Sequence, residues 1–375
     1  MPLRRFLSKL RGLVVLLCLL LPQALFGQHY TQTNLVSSIP GVGTMDPQLV
    51  NSWGLTRSVT SPWWVADNGA GVATIYNGAG NKNGLVVTIP VPKGQSPPSA
   101  PTGVVFNGNT SDFQLPAGGP AAFIFVTEDG TIAGWNGGSA ATIVVDNSKK
   151  GAVYKGCTIA EWKGKHYLYV ANFHSGQVEV YDSSFQPVRL QRSAFVNDDD
   201  NDNGNGSAFQ GNPRHFAPFN VQAIGTNVYV AYAKQDAEKH DDEPGPGLGD
   251  LAVFDPSGKR LARLKHGSWF NAPWGIAMAP GEFGEFSHAL LVGMFGSGQI
   301  AAFNPVNGDF LGLMKRPSDQ ILSINGLWAL GFGAGNANSG PYNTLFFTAG
   351  PNDEHDGLFG TLVPIPAELN EADEP

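Results

Sequence analysis

The sequence predicts an all-β fold, a six-bladed β-propeller of four-stranded antiparallel blades, and three observations carry this prediction. Short apolar runs of strand length are separated by turn residues, and no segment has confident helical spacing. The runs recur as four-strand units whose inner strands begin near residues 53, 103, 156, 220, 274 and 327. Glycine (48) and proline (27) supply a fifth of the 375 residues without a collagen period, which is typical of many turns.

The clearest unit lies between Ala272 and Leu313, where four strands, A to D, are separated by turns that include an Asn-Gly hairpin signal. The passage from strand B to strand C repeats best along the chain. In the first unit Trp64-Val-Ala-Asp is followed by a turn and then by Val72 to Tyr76. Six such units indicate six blades arranged in a ring.

The ring is predicted to close by pairing of the first strand of the chain with the last blade. The sixth unit lacks a strand D, whereas Tyr30 to Ser38 form a strand with no blade of their own. Pairing this strand with Leu358 to Leu362 would complete the last blade and remove two open sheet edges. We therefore expect the N-terminal strand to be the outer strand of the last blade.

The chain divides into a targeting segment (residues 1–27), one propeller domain (28–366) and an acidic tail (367–375) that we expect to be disordered. A basic head precedes the short apolar stretch Leu13 to Leu21, which predicts a signal peptide cleaved near Gly27 and a secreted or periplasmic protein. A lipid anchor on Cys18 is the alternative. After cleavage Cys157 is the remaining cysteine, so we expect no intrachain disulfide and a buried, unreactive thiol.

The charge of the chain limits its partners. The net charge is −8 and no basic stripe occurs. Because nucleic-acid binding requires clustered Lys and Arg, we expect no nucleic-acid partner. We also expect no membrane span in the mature chain, and a monomer that binds a protein, a glycan or a small molecule.

The repeats resemble NHL-type propellers, in which an apolar strand ends in Val-Ala-Asp, as Val65-Ala-Asp-Asn-Gly does here. Most of the chain also resembles an uncharacterised family of secreted bacterial proteins. The stretches that carry this resemblance are Tyr30-Thr-Gln-Thr-Asn-Leu-Val, Asn51-Ser-Trp-Gly-Leu, Trp64-Val-Ala-Asp-Asn-Gly, Ala217-Pro-Phe-Asn-Val-Gln, Tyr232-Ala-Lys-Gln-Asp-Ala, His240-Asp-Asp, Pro273-Trp-Gly-Ile-Ala and Gly357-Leu-Phe-Gly-Thr-Leu. The resemblance implies the propeller fold, and it implies no particular activity.

Polar residues concentrate in the B–C loops and at the entries of the A strands, which open on one face of a propeller. Binding sites of propellers usually lie on that face, by analogy of fold. The polar residues at these places include Asn51, Asn68, Glu128, Asp129, Asn172, His174, Asn271 and the loops 234–249 and 350–357. The tryptophans near the strand entries, Trp53, Trp274 and Trp328, are expected to pack between blades.

The two long loops belong to blades 4 and 6, and blade 5 between them has only a short B–C loop. We therefore predict that the long loops flank an acidic groove above blade 5. The predicted ligand-binding residues are His240, Asp242, Asp353, His355, Met294 and Phe295. Imidazole and carboxylate groups suit metal binding and acid–base chemistry, and solvated charged loops are the alternative.

Two metal hypotheses follow from carboxylate and amide side chains. Asp67, Asn220 and Asn325, joined by His240 or His355, could hold a divalent ion at the channel mouth, although Asp67 also suits an ordinary turn. The run Asp199-x-Asn201-x-Asn203-Gly resembles the first half of a calcium loop, but glutamine stands at its twelfth position, and a flexible acidic insert is the alternative. Calcium or another divalent cation would be the cofactor.

No nucleophile elbow, Walker loop, cysteine cluster or His-Glu-x-x-His motif occurs in the sequence. The first hypothesis is therefore an exported binding or scaffold propeller that uses its loop-rich face. The second is a metal-dependent hydrolase or lactonase with a divalent ion at the mouth of the central channel. Whether the protein is an enzyme stays open at this point.

Overall fold

The computed structural model describes residues 28–197 and 216–366, which form a ring of six sheets whose blade strands pair antiparallel. The predicted six-bladed propeller is thereby confirmed. The predicted signal peptide, the acidic tail and the calcium-loop residues Asp199, Asn201 and Asn203 lie outside the described residues.

The strands are numbered β1 to β24 in chain order. The N-terminal segment supplies β1 (Tyr30–Ser37) and β2 (Thr44–Met45). Blade 1 consists of β3 (Ser52–Thr56), β4 (Trp63–Asp67), β5 (Val72–Tyr76) and β6 (Val87–Thr88), and blade 2 of β7 (Pro101–Phe106), β8 (Phe123–Thr127), β9 (Thr131–Trp135) and β10 (Thr142–Asp146). Blade 3 has three strands within the described residues, β11 (Tyr154–Trp162), β12 (Lys165–Asn172) and β13 (Gln177–Tyr181).

Blade 4 consists of β14 (Phe216–Ile224), β15 (Asn227–Lys234), β16 (Asp250–Phe254) and β17 (Arg260–Arg263), and blade 5 of β18 (Pro273–Met278), β19 (Leu290–Met294), β20 (Ile300–Phe303) and β21 (Phe310–Leu313). Blade 6 contains β22 (Leu327–Phe332), β23 (Leu345–Ala349) and β24 (Leu358–Pro364). Residues 28–197 and 216–366 include three short 3₁₀ turns, at Asn68–Ala70, Ser148–Lys150 and Gly284–Phe286. The described part of the chain contains no helix with the length and apolarity that a membrane crossing requires.

The N-terminal strand closes the ring as predicted. Strand β1 pairs antiparallel with β24, from Tyr30 opposite Pro364 to Ser37 opposite Leu358. The Tyr30 ring is buried, and its hydroxyl donates a hydrogen bond to the carbonyl of Phe283 at 3.0 Å. One strand therefore completes blade 6 and also contacts blade 5.

The apolar core lies between neighbouring blades because the inner strands of each blade bury residues on both faces. Between blades 1 and 2, for example, Trp64 stacks on Phe123 with ring centroids 4.0 Å apart. Cys157 lies in the cluster between blades 2 and 3, where it is buried, and burial raises the pKa of its thiol. The structure thus agrees with the prediction of a buried, unreactive cysteine.

The inner strands share a feature that the hydropathy pattern does not reveal, a register shift near the start of each one. Such bulges re-aim side chains at the rims of closed sheets. The residues at this position are Trp53, Thr102, Lys155, Phe219, Trp274 and Trp328, and all of them are buried. The next residue is small where backbones approach closely: a Cβ on Gly103 would lie 2.8 Å from the Cys157 nitrogen, and one on Gly275 would lie 2.6 Å from the Trp328 oxygen.

Candidate functional site

An aromatic cluster fills the centre of the ring, and we call it the aromatic plug. Trp328 stacks between Trp53 and Phe295, with ring centroids 3.6 Å and 3.9 Å apart, and Trp274 meets Trp328 edge-on at 6.0 Å. The prediction that these tryptophans pack between blades is therefore wrong. They meet in the centre because the inner-strand bulges direct them there rather than onto a sheet face.

A chain of hydrogen-bonded polar side chains runs across the mouth above the plug. We call it the mouth arc, and it consists of Glu354, Asn51, Asn68, Glu128, Lys155, Asp241 and His240. Asn51 donates to Glu354 Oε2 at 2.6 Å and to Asn68 Oδ1 at 3.3 Å, and Asn68 donates to Glu128 Oε2 at 2.8 Å. These residues come from five blades, so the arc exists only in the closed ring.

Lys155 is the centre of the arc. Its ammonium group donates to Glu128 Oε1 and to Asp241 Oδ1, the latter at 2.9 Å, and its side chain is 1% exposed. It also lies 5.1 Å from the centroid of the Trp53 ring and 5.8 Å from that of Phe173, within the range of cation–π attraction. Burial alone would lower the pKa of Lys155, but the two carboxylates outweigh it and raise that pKa, so the group is a cation.

Two further carboxyl groups of the mouth, Asp242 and Glu354, titrate near neutral pH. Burial raises the pKa of Asp242 to about 7, and the nearby Glu354 adds to this rise. Burial also raises the pKa of Glu354 to about 7, with repulsion from Glu128 as the next cause. Asp242 Oδ2 is buried, and no hydrogen-bond donor among the described residues reaches it. Both groups therefore exchange protons within the physiological pH range.

The pair His240 and Asp241 behaves in the opposite way. The imidazole Nδ1 lies 3.1 Å from Asp241 Oδ2, and this contact lowers the pKa of Asp241 and raises that of His240. The backbone nitrogen of His240 is held by Asp236 Oδ1 at 2.8 Å. Asp241 therefore stays ionised at neutral pH, whereas Asp242 and Glu354 exchange protons there.

The loop that carries Glu354 has an unusual backbone. Asn352, Asp353 and Glu354 have φ angles of 57°, 51° and 65°, three consecutive left-handed residues of which none is glycine. Asn and Asp tolerate this region, but a glutamate there costs free energy, and such strain tends to occur at functional sites. The turn leaves Asp353 and His355 exposed and directs Glu354 between them toward Asn51.

The predicted ligand-binding residues fall into three groups. His240 and Asp242 lie in the mouth, and Phe295 forms one end of the stacked rings of the plug. Asp353 and His355 are exposed, and His355 Nδ1 contacts the carbonyls of its own loop at 2.8 Å and 3.0 Å. Met294 is fully buried between blades 4 and 5, so its prediction as a groove residue is wrong: the side chain turns into the core.

The predicted metal ligands Asp67, Asn220 and Asn325 do not come together. Asp67 is fully buried in blade 1, where its Oδ2 accepts hydrogen bonds from Thr74. Asn220 donates to the Trp274 carbonyl at 2.7 Å and lines a cavity of about 20 Å³ enclosed by the inner strands. Asn325 Oδ1 accepts from the backbone of Asn352 at 2.9 Å. Each side chain serves its local structure, so the prediction of a shared site is wrong.

Another set in the described residues, Glu128, His240 and Asp241, has ligand atoms that lie within 4.8 Å of one another. The Lys155 ammonium already bridges its two carboxylates. These residues therefore do not fit a divalent ion as they stand.

Sequence reasoning missed Lys155 and Glu354. Glu354 stands in the loop that the sequence singled out, between two residues that were chosen instead. Lys155 has a clearer signal: it precedes Gly156 at the position where the other inner strands carry Trp, Phe or Thr. Aligning the inner strands on the residue that follows, which is glycine in four of the six, identifies blade 3 as the one that places a charge at the centre.

The fold and the mouth define the class of protein, a six-bladed β-propeller of the NHL-like type with a plugged channel and a charged mouth. Among solved structures the chain is similar to a streptogramin B lyase (TM-score 0.50, 11% identity, covering 90% of this chain and 98% of that one). It is equally similar to virginiamycin B lyase from Staphylococcus aureus (TM-score 0.50, 11% identity, covering 90% and 100%). Similarity at this level of identity shows the fold alone.

Sequence comparison gives the family, although no family model matches the chain. The uncharacterised protein L690 of Acanthamoeba polyphaga mimivirus is 30% identical over 329 residues, which is 85% of this chain and 81% of that protein. The uncharacterised protein R648 of the same virus is 30% identical over 327 residues, 84% and 76% of the two chains. The chain belongs to the family of these proteins. Because these relatives are viral, the bacterial and secreted parts of the sequence-based resemblance stay predictions.

Proposed function

We propose that the protein is a binding propeller whose site is the channel mouth and whose ligand presents a positively charged group. The observation that carries this proposal is the charge of the mouth. The mouth contains four carboxyl groups, Glu128, Asp241, Asp242 and Glu354, and they outnumber the Lys155 ammonium and the His240 imidazole. The proposal keeps the binding or scaffold role that the sequence predicts and narrows the ligand.

The ligand should also donate hydrogen bonds. Asp242 Oδ2 is a buried acceptor that no donor in the described residues satisfies, and buried polar atoms without partners are rare and costly. An amine or a guanidinium group supplies both the donor and the charge. The partly exposed ring of Phe295 lies at the end of the plug, where an aromatic face favours a cation.

Isothermal titration calorimetry with spermidine and with arginine methyl ester tests this proposal. Binding should strengthen between pH 6 and pH 8, because a cation binds the deprotonated forms of Asp242 and Glu354, whose pKa values lie at about 7. The double variant Asp242→Asn, Glu354→Gln should lose this binding, whereas Asp353→Asn in the exposed part of the loop should keep it. Absence of binding by both probes, or equal binding by the double variant, would contradict the proposal.

Hydrolysis is a second candidate function, and one observation favours it. A general acid or base works best when its pKa lies near the working pH, as those of Asp242 and Glu354 do. Turnover of lactone or ester substrates that falls in both single variants, Asp242→Asn and Glu354→Gln, would support this activity. Turnover that persists in both variants would mean that the hydrolytic activity belongs to another site.

We further propose that the chain is exported and acts as a monomer outside the cytoplasm. Support comes from the basic head and short apolar stretch of residues 1–21. A protein or glycan partner would then meet the mouth on the loop-rich face.

A further inference from the structure

Each oxygen of the two carboxylates beside Lys155 already has a partner among the neighbouring side chains. Glu128 accepts from Lys155 through Oε1 and from Asn68 through Oε2. Asp241 accepts from Lys155 through Oδ1 and meets His240 through Oδ2. All four oxygens of the two groups are therefore engaged by donors.

A divalent ion at this place would have to displace the ammonium group. Divalent ions bind carboxylate oxygens at roughly 2.0–2.6 Å, so an ion between Glu128 and Asp241 would lie in the space that the Lys155 Nζ occupies. The lysine cannot easily withdraw, because its side chain is 1% exposed and packs on the rings of Trp53 and Phe173. Repulsion between an ammonium and a divalent cation at such short range is large.

We propose that Lys155 is a resident cation that takes the place of a divalent ion between Glu128 and Asp241, so that this pair holds no metal and binding of an organic cation is left to Asp242 and Glu354. It follows that the metal-dependent form of the hydrolase hypothesis does not apply to this mouth. The inference deepens the proposed function by naming the ligand class. It concerns the pair Glu128 and Asp241, whereas the organic cation is assigned to Asp242 and Glu354.

The experiment is a titration of the wild type and of Lys155→Met with Mn²⁺ and Ca²⁺, followed by electron paramagnetic resonance and by calorimetry. Methionine keeps most of the volume of lysine without its charge. We expect no saturable binding to the wild type in the millimolar range, and an affinity at least about a hundredfold higher for Lys155→Met, in line with the removal of a close like charge. Added Mn²⁺ should also raise the unfolding temperature of this variant.

Two control variants locate the effect. Lys155→Met combined with Glu128→Gln should lose the gained affinity, because one ligand is removed. Lys82→Met, which removes a lysine paired with Asp46 away from the mouth, should gain none. Equal Mn²⁺ affinity of the wild type and Lys155→Met would overturn the proposal.

The proposal remains testable if Lys155→Met does not fold. The wild type and Glu128→Gln can then be compared alone: saturable Mn²⁺ binding to the wild type that Glu128→Gln abolishes would overturn it, and absence of such binding supports it. The organic-cation titrations are independent of this outcome. A mouth that binds neither spermidine nor arginine methyl ester but gains Mn²⁺ in Lys155→Met would refute the proposed function and leave this inference intact.

Discussion

Replacing Asp242 with asparagine should stabilise the protein at alkaline pH. The side chain is partly buried in the mouth, its Oδ2 has no donor within the described residues, and Glu354 lies nearby. Asparagine has the shape of the protonated aspartic acid and carries no charge. The variant therefore removes the desolvation cost of a carboxylate and little else.

The sign and the magnitude follow from the shift of the pKa. The pKa of Asp242 rises from 3.8 to about 7 on folding, so the folded state holds a proton that the unfolded state has lost between these two pH values. The free energy of unfolding of the wild type thus falls as pH rises from about 4 to about 7, and then levels off. A rise of about three pKa units corresponds to roughly 4 kcal/mol, and partial exposure reduces this to on the order of 2 kcal/mol.

Urea unfolding at pH 5 and pH 8 measures the difference between wild type and Asp242→Asn. The advantage of the variant should be clearly larger at pH 8, where it should approach about 2 kcal/mol. Asp353→Asn is the matched control, because that carboxylate is exposed in the neighbouring loop and its replacement should change stability little. An advantage of Asp242→Asn that is absent at pH 8, or equal at both pH values, would refute the reasoning.

Three further predictions concern the fold and the processing of the chain. Deletion of residues 28–45 should lower the free energy of unfolding by about 5 kcal/mol or more, because burial of Tyr30 and Val36 and the ladder with β24 are lost; an unchanged melting temperature would contradict ring closure. Gly275→Ala should cost roughly 1–3 kcal/mol by overpacking against the Trp328 carbonyl, and denaturant titration that shows no loss would contradict the close approach of these strands. Mass spectrometry of exported protein should show cleavage near Gly27, and retention of Met1 would contradict the signal peptide.

The fold was predictable from the sequence because its signals are local. Strands such as Trp63–Asp67 and Leu290–Met294 are short apolar runs that end at turn residues, and each repeats at a similar place in the next blade. Closure by β1 was predictable for the same reason, since one strand was left over at one end and one was missing at the other. The fold and its closure could both be predicted without knowing where any side chain points.

The mouth was only partly predictable because its contacts join distant residues. Lys155 meets Glu128 and Asp241, which lie 27 and 86 positions away in the chain, and Asn51 meets Glu354 across 303 positions. Long polar loops were a correct guide to the place, but not to which side chain turns inward. That choice depends on backbone detail, such as the left-handed turn that exposes Asp353 and brings Glu354 to the mouth.

The aromatic plug and the lysine beside it depend on one local irregularity repeated around the ring. In a regular strand the side chains of Trp53 and Trp274 would lie on a sheet face, where they would pack between blades as the sequence analysis expected. The register shift at each inner strand turns them toward the axis. Hydropathy does not report a bulge, so the content of the channel could be read only from the structure.

The stability of the fold alone does not explain why a lysine is buried at position 155. At the same position Trp53, Phe219, Trp274 and Trp328 pack as apolar rings, whereas a buried ion pair often contributes no more than the apolar residues that could replace it. Lys155→Met alone should lower the free energy of unfolding by about 3–5 kcal/mol, because it leaves the largely buried carboxylate of Glu128 without its ammonium partner.

The double variant Lys155→Met, Glu128→Gln tests whether this ion pair serves stability or binding. It should regain most of the loss or exceed the wild type by about 1–4 kcal/mol, since no buried charge is left unpaired. Denaturant unfolding of the two variants beside the wild type separates the two roles. If the double variant is as unstable as the single one, the pair is a structural requirement. If the double variant is at least as stable as the wild type, the fold does not need the pair, and the pair is retained for the charge that it sets in the mouth.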